Sequence, residues 1–333
     1  MMETKRRKTA KIALGISLLL VWLTLPLSTA CRQPTTYRIG IIQAGTHPAL
    51  EANRQGFIDQ MTEEGFIEGE NVTYESNAEG DMNLAAAIAQ KYVSEEVDLI
   101  LSIATPTSQA SMAAARCTDI PIVFGSVTDP VAAGLVNSWD NPGGNVTGIS
   151  DWANVGTQAE LIIEIVPQLK NLGVIYNPDE VNSVVQIKEL GKVASSLGIT
   201  DIIESTVSSS AEVGDAAVWL MGRVDAVWVP TDNTVVSAIE AVVQACETNR
   251  IPLFAADTAS VKRGAIGTPG IDYYRLGREC GQVAARILKG EKPSDIPVKK
   301  VDMTDLTLNP PAALRMGVTI PQSVLERATE IVE

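Results

Sequence analysis

Polar side chains recur just after apolar runs in this 333-residue chain. Gln43, Thr105, Ser126 with Asp129, Ser150 with Asp151, Asn182 with Ser183, Asp232 with Asn233, and Asp257 each follow such a run or its turn. These residue types suit the capture of a small zwitterion. Asp129, Asp151, Asp232 and Asp257 are acceptors able to hold an ammonium group. Helix starts at Thr105-Pro106, Ser183 and Asn233 would turn backbone N–H groups toward a carboxylate. Trp152 and Phe124 are flat apolar residues in a chain with 5% aromatics. Phe124 reads first as core and second as a cleft wall; Trp152 stands evenly between wall and surface. His47 reads either as a solvated capping residue or as a ligand contact.

The same inventory speaks against catalysis. His47 is the single histidine, and no Gly-x-Ser-x-Gly elbow is present, so a serine–histidine triad has little support. No Walker-type phosphate loop exists. The run Pro142-Gly143-Gly144-Asn145 lacks the strand-before, helix-after setting of a dinucleotide fingerprint. Cys117, Cys246 and Cys280 are not at metal-ligand spacing and read as small packing residues. No catalytic residue, cofactor or metal is expected. The net charge of −14 excludes a general nucleic-acid surface.

What must position these side chains is a stretch that occurs twice. Residues 97–106 run from Val97-Asp98 through Leu-Ile-Leu-Ser-Ile to a polar turn; residues 224–232 run from Val224-Asp225 through Ala-Val-Trp-Val to another. Each is followed by a second apolar run introduced by Ile-Pro, at Ile120-Pro121 and Ile251-Pro252. Unbroken apolar runs mark strands covered on both faces, as in a parallel sheet. The repetition predicts an α/β fold of two doubly wound parallel-sheet lobes. Ligands of such sheets sit beyond the carboxyl ends of the strands, where these polar turns lie.

Strands are predicted over 37–43, 72–76, 99–103, 122–125, 146–150, 171–176, 199–206, 224–229 and 251–255. Helices are predicted over 47–65 with Thr46 as N-cap, 84–93, 108–116, near Leu135, 159–166, 184–197 and 274–288. The chain should cross between lobes near 148–152, 268–273 and 304–308. That gives one lobe from 37–149 plus 271–305, and another from 150–270 plus 306–333.

The first thirty residues stand apart. Lys5 to Lys11 is basic, and 12–27 is apolar but shorter than the roughly 20 residues of a spanning helix. This is the layout of a secretory signal. Ser28-Thr29-Ala30 fits cleavage by the general signal peptidase, whereas Ala30-Cys31 resembles a lipobox with Cys31 lipidated. The second is preferred, with 31–36 as a tether, although Ser28 stands where a lipobox has an aliphatic residue.

Short phrases along the chain then carry a resemblance. They are His47-Pro48-Ala49-Leu50, Asn77-Ala78-Glu79-Gly80-Asp81, Ile103-Ala104-Thr105-Pro106, Val127-Thr128-Asp129-Pro130, Pro142 to Gly148, Ser150-Asp151, Tyr176-Asn177-Pro178, Asn182-Ser183, Val229 to Thr234, and Val261-Lys262-Arg263-Gly264. Together they resemble the bacterial ABC-transporter substrate-binding lipoproteins of the tryptophan/tyrosine-binding type, from Tyr37 to the C-terminus. The resemblance implies a type I periplasmic-binding fold with a three-strand hinge. It also implies a small-molecule ligand, an aromatic amino acid in relatives whose ligand is known, passed to a permease driven by a separate ATPase. The protein would be a monomer outside the cytoplasm, held to the cell membrane by its lipid anchor alone. An extracytoplasmic sensor feeding a signalling partner is the alternative. Thr105, Ser150, Asp151, Asn182, Ser183, Asp232, Asn233 and Asp257 fall in matching phrases; Trp152 stands where the family varies.

Overall fold

The structure, a computed structural model, describes residues 36–77, 82–301 and 305–333. The signal segment, Cys31, most of the tether, and part of the phrase 77–81 lie outside the described residues. The chain runs β1 (Tyr37–Gln43), α1 (Pro48–Glu63), β2 (Val72–Asn77), α2 (Met82–Ser94), β3 (Leu99–Ile103), α3 (Thr105–Ala115), β4 (Ile122–Gly125) and β5 (Val146–Ser150). It continues with α4 (Val155–Ile165), β6 (Asn171–Tyr176), α5 (Val181–Ala194), β7 (Asp201–Thr206), α6 (Val213–Leu220), β8 (Ala226–Val229), α7 (Asn233–Ser237), α8 (Ile239–Asn249), β9 (Leu253–Ala255), α9 (Thr258–Lys262) and β10 (Gly267–Gly270). It ends with α10 (Tyr273–Leu288), β11 (Lys299–Lys300), β12 (Asp305–Leu308), α11 (Pro310–Arg315), α12 (Gln322–Leu325) and β13 (Glu330–Ile331).

Two parallel sheets form the lobes. The first has the order β11-β5-β4-β3-β1-β2, the second β7-β6-β8-β9. A three-stranded sheet, β10-β12-β13, extends the second lobe; β10 and β12 pair antiparallel. The first sheet buries a core on each face, one under α1 and α10, the other under α2 and α3. The second lobe has its own core, centred on Trp228, Leu172 and Val174. The chain passes between lobes three times: after β5, between β10 and α10, and between β11 and β12.

The sequence repeat has a hydrogen-bond counterpart. In the first lobe the Asp98 carboxylate accepts from Arg38 N at 2.7 Å, and Asp98 N donates to Arg38 O. In the second, the Asp225 carboxylate accepts from Lys170 N and Asn171 N at 2.9 and 2.8 Å, and Asp225 N donates to Asn171 O. Each Val-Asp pair thus pins its strand to the start of the neighbouring strand. The Ile-Pro pairs match as well: Pro121 O accepts from Ile100 N, and Pro252 O from Val227 N.

Helices α1 and α10 pack with their backbones in contact. A Cβ on Gly56 would lie 2.0 Å from Tyr274 O, and one on Gly277 would lie 1.9 Å from Asn53 O. Only glycine fits there.

Three expectations need correction. His47, not Thr46, is the α1 N-cap, and its side chain makes no capping bond. The stretch near Leu135 is a series of turns, held by Asp129 and by Leu135 N donating to Pro130 O. Helix α3 starts at Thr105, three residues early, because Pro106 suits its first turn. Phe124 is fully buried core, its first reading.

Candidate functional site

The strand ends meet between the lobes. Residues His47, Ala49, Leu50, Ser126, Thr128, Asp151, Asn182, Thr231, Asp232, Asn233, Val236, Asp257 and Tyr273 line one cavity there. It encloses about 340 Å³ between atoms. Thr128 Oγ1 and Thr231 Oγ1, one from each lobe, stand 3.2 Å apart.

Asp151 follows β5, on the first crossing. Its Oδ1 accepts from Thr128 Oγ1 and its Oδ2 from the Tyr273 hydroxyl, both at 3.0 Å. Tyr273 opens α10, on the second crossing, so one carboxyl ties two hinge segments together. Burial pushes the Asp151 carboxyl up to about 6, against the lowering effect of its two hydroxyl donors. Burial and the nearby Asp151 carboxyl push the Tyr273 phenol well above its usual value.

Asp232 follows β8 and caps α7. Its oxygens accept from Val235 N at 2.8 Å, Asn177 N at 2.7 Å and Ser183 Oγ at 2.6 Å. Burial, and then the neighbouring Glu180, push its carboxyl up to about 7. Asp257 caps α9 through Ser260 N and also accepts from Ser260 Oγ at 2.6 Å.

Glu180 organises this side of the cavity, and nothing in its spacing singled it out. It is buried and accepts from Asn233 N, Asn233 Nδ2, Thr234 N, Thr234 Oγ1 and Asn182 Nδ2 at 2.6–3.0 Å. The α7 amides expected to receive a ligand carboxylate are thus held by Glu180 and Asp232. Asn182 Nδ2 also donates to Thr231 O at 2.6 Å. All three neighbours of this amide nitrogen, Glu180 Oε2, Thr231 O and Ser183 Oγ, act as acceptors, so its orientation is fixed and Oδ1 remains, buried and without a partner among the described residues.

In the first lobe Ser126 adopts φ 56° and Ala104 φ 87°, uncommon for residues other than glycine. Ala104 N donates to Gly125 O at 2.9 Å, fastening these two turns together. Ser126 Oγ accepts from Asn53 Nδ2 at 2.7 Å, which leaves its own hydrogen to give. His47 lines the cavity with both ring nitrogens buried and without a hydrogen bond of normal geometry among the described residues. Burial lowers its pKa, and the Asp257 carboxylate draws it back upward.

Seven of the expected site residues meet on this lining: His47, Ser126, Asp151, Asn182, Asp232, Asn233 and Asp257. The other six have places outside it. Gln43 donates to Gly45 O and Glu51 Oε1. Thr105 is buried at the start of α3. Asp129 accepts from Val131 N and Ala132 N. Ser150 bridges Thr128 O and Trp152 N, and Ser183 braces Asp232. Trp152 faces Lys300, whose ammonium lies 5.1 Å from its ring and 4.4 Å from the Trp139 ring. The aromatic ring on the lining is instead Tyr273, which sequence reasoning placed only at the end of the crossing 268–273. Thr128 and the apolar Ala49, Leu50 and Val236 were also missed as lining residues; Thr128 sits beside a chosen aspartate, and Thr231 belongs to a polar turn expected at the strand ends.

Among the described residues, Cys117, Cys246 and Cys280 are free thiols, and no group of three or more His, Cys, Asp or Glu residues is placed to hold a metal ion. No described helix is long and apolar enough to cross a membrane.

Comparisons with known proteins agree with this geometry. The chain is 41% identical to the tyrosine-binding protein of Clostridioides difficile over 272 residues, 81% of this chain and 78% of that one. A Streptococcus pneumonia ABC domain in complex with L-Trp superposes with a TM-score of 0.85 at 33% identity, covering 90% of this chain and all of that one. The ligand-free, open structure of a Clostridium difficile substrate binding protein with adhesive properties is more identical, at 39%, but superposes less well, at 0.67, covering 89% and 99%. The family described as ABC transporter substrate binding protein matches residues 38–332. This is a family of binding proteins, not enzymes, built on the two-lobed, three-crossing fold seen here, and the chain belongs to it.

Proposed function

We propose that this protein is the extracytoplasmic receptor of an ABC importer, capturing an aromatic amino acid between its lobes and delivering it, as a monomer, to a permease powered by a separate ATPase. One observation carries the ligand class. Asp151, Asp232 and Asp257 converge on one cavity, and among the described residues none of those lining it is Lys or Arg. Buried carboxyl groups without a cation are costly, and a ligand ammonium supplies the missing charge. Asn182 Oδ1 gives that ammonium a further acceptor. The Ser126 hydroxyl has a hydrogen to give the ligand carboxylate. Tyr273, Leu50 and Val236 offer apolar surface to a ring. The tyrosine-binding relative and the tryptophan complex favour an aromatic side chain.

Calorimetry with tyrosine, tryptophan and phenylalanine tests this, beside the matching acids in which the amine is replaced by hydroxyl. Removing the ammonium should cost about 2–5 kcal/mol of binding. If no aromatic amino acid binds and a ligand without an ammonium does, the amino-acid reading is wrong. Membrane attachment through Cys31 belongs to the same proposal: Cys31→Ser should move the protein to the soluble fraction with binding intact.

A further inference from the structure

We propose that His47 is the specificity-determining residue of this cavity: its imidazole accepts a hydrogen bond from the ligand's side chain, so that aromatic rings bearing an O–H or N–H are chosen over a bare phenyl. This rests on the amino-acid reading above. His47 is fixed in place by its backbone, whose carbonyl accepts from Leu50 N and Glu51 N at 3.1 and 3.2 Å as α1 begins. Its side chain caps nothing. The residue is 6% exposed and its ring lines the cavity; neither ring nitrogen makes a hydrogen bond of normal geometry among the described residues, although the Asn233 side chain lies close enough to engage one of them. Unpaired polar atoms in buried positions are the exception in proteins and call for an occupant.

The surroundings decide which kind of occupant. A neutral imidazole carries one N–H and one bare acceptor nitrogen. The lining is rich in acceptors: the carboxylates of Asp151 and Asp257 and the free Oδ1 of Asn182. The ring's N–H has acceptors nearby in the Asn233 side chain and the Asp257 carboxylate, whereas its bare nitrogen needs a donor. A phenol O–H or an indole N–H is such a donor, and the apolar neighbours Leu50 and Val236 suit the ring that bears it. A phenyl ring would leave the nitrogen buried and unmet, and sites built around a hydrogen bond reject the analogue that lacks it far more strongly than hydrophobic pockets reject a change of size.

Calorimetry of the full mature protein with tyrosine, tryptophan and phenylalanine tests the proposal, alongside His47→Leu and His47→Gln. The wild type should bind tyrosine or tryptophan on the order of 100-fold more tightly than phenylalanine. His47→Leu should shrink that ratio to about 5-fold or less while keeping phenylalanine binding, since an apolar side chain penalises no phenyl ring. His47→Gln, which retains a donor and an acceptor, should keep much of the ratio. Binding of all three amino acids by the wild type within about threefold, or an equal loss of all three in His47→Leu, overturns the role of His47 and leaves the amino-acid site standing. Binding of none of them overturns both. If His47→Leu does not fold, the wild-type ratio and its persistence in His47→Gln decide.

Discussion

The Thr128 hydroxyl reaches both the Asp151 carboxyl, at 3.0 Å, and the Thr231 hydroxyl of the opposite lobe, at 3.2 Å. An ionised carboxylate only accepts. Thr128 therefore gives its hydrogen to ionised Asp151, so in the contact between the lobes only Thr231 can donate, its hydroxyl hydrogen being shared with Gln186 Oε1, also at 3.2 Å. The contact between the lobes has a direction, set at the hinge.

Thr231→Val keeps the shape and removes that donor. Affinity should fall by about 1 kcal/mol, the worth of one ordinary hydrogen bond. Small-angle scattering of the ligand-free variant should show a larger radius than the wild type. Unchanged affinity and radius would mean that this contact does not hold the lobes together.

Asp151 and Asp232 give the protein a pH dependence. Their carboxyl groups titrate at about 6 and about 7 in the folded protein, above the roughly 4 of an unfolded aspartate. A group raised in this way contributes stability that is complete below its unfolded value and is lost as pH rises through its folded value. The ligand-free melting temperature should fall from about pH 4 to about pH 7 through these groups. Glu180 beside Asp232 and Asp257 beside Asp151 push in the same direction. A bound ammonium favours the ionised forms, so affinity should rise over the same span. Calorimetry that found affinity flat or falling would count against an ammonium at these carboxyls.

Glu180→Ala should destabilise the protein by about 3–5 kcal/mol, because buried donors of Asn233, Thr234 and Asn182 lose their acceptor together. It should also displace Asn233 from the cavity wall and weaken binding. Thermal unfolding and calorimetry read the two effects separately. A loss under about 1 kcal/mol would show that water replaces Glu180 readily.

Trp152→Ala should leave the ranking of ligands unchanged, since the ring lies over Lys300 and not on the cavity lining. The expected cost is about 0.5–1 kcal/mol of stability from the lost cation–π contact. A changed ranking would bring Trp152 back to the ligand.

The parallel strands were legible because burial on both faces leaves unbroken apolar runs. Five of them, including 99–103 and 171–176, begin and end where the sequence placed them. The short, partly exposed β10 to β13 carry no such signal and were not located as strands. Asp151, Asp232 and Asp257 could be chosen because acceptors at strand ends are conspicuous. Glu180 and Tyr273 could not: each sits at a helix start, and its importance comes from partners more than 50 residues away. Trp152 misled for the opposite reason, since an aromatic next to a chosen aspartate can face either way and only the packing of Lys300 decides.

The glycine contact between α1 and α10 bears on the order in which the molecule is assembled. Asp59 and Tyr274, hydrogen-bonded across it, are 215 residues apart. At ribosomal speeds of about 5–20 residues per second, α1 waits roughly ten to forty seconds for the helix that covers it. During that time Phe57, Met61 and Leu50, buried in the finished protein, have no α10 to bury them. A polypeptide released after Ile271 would contain every strand of the first sheet except β11 and still lack that cover. Nascent-chain proteolysis should find α1 open to cleavage until α10 has been made, so the lobe that is begun first cannot close until most of the second has been made.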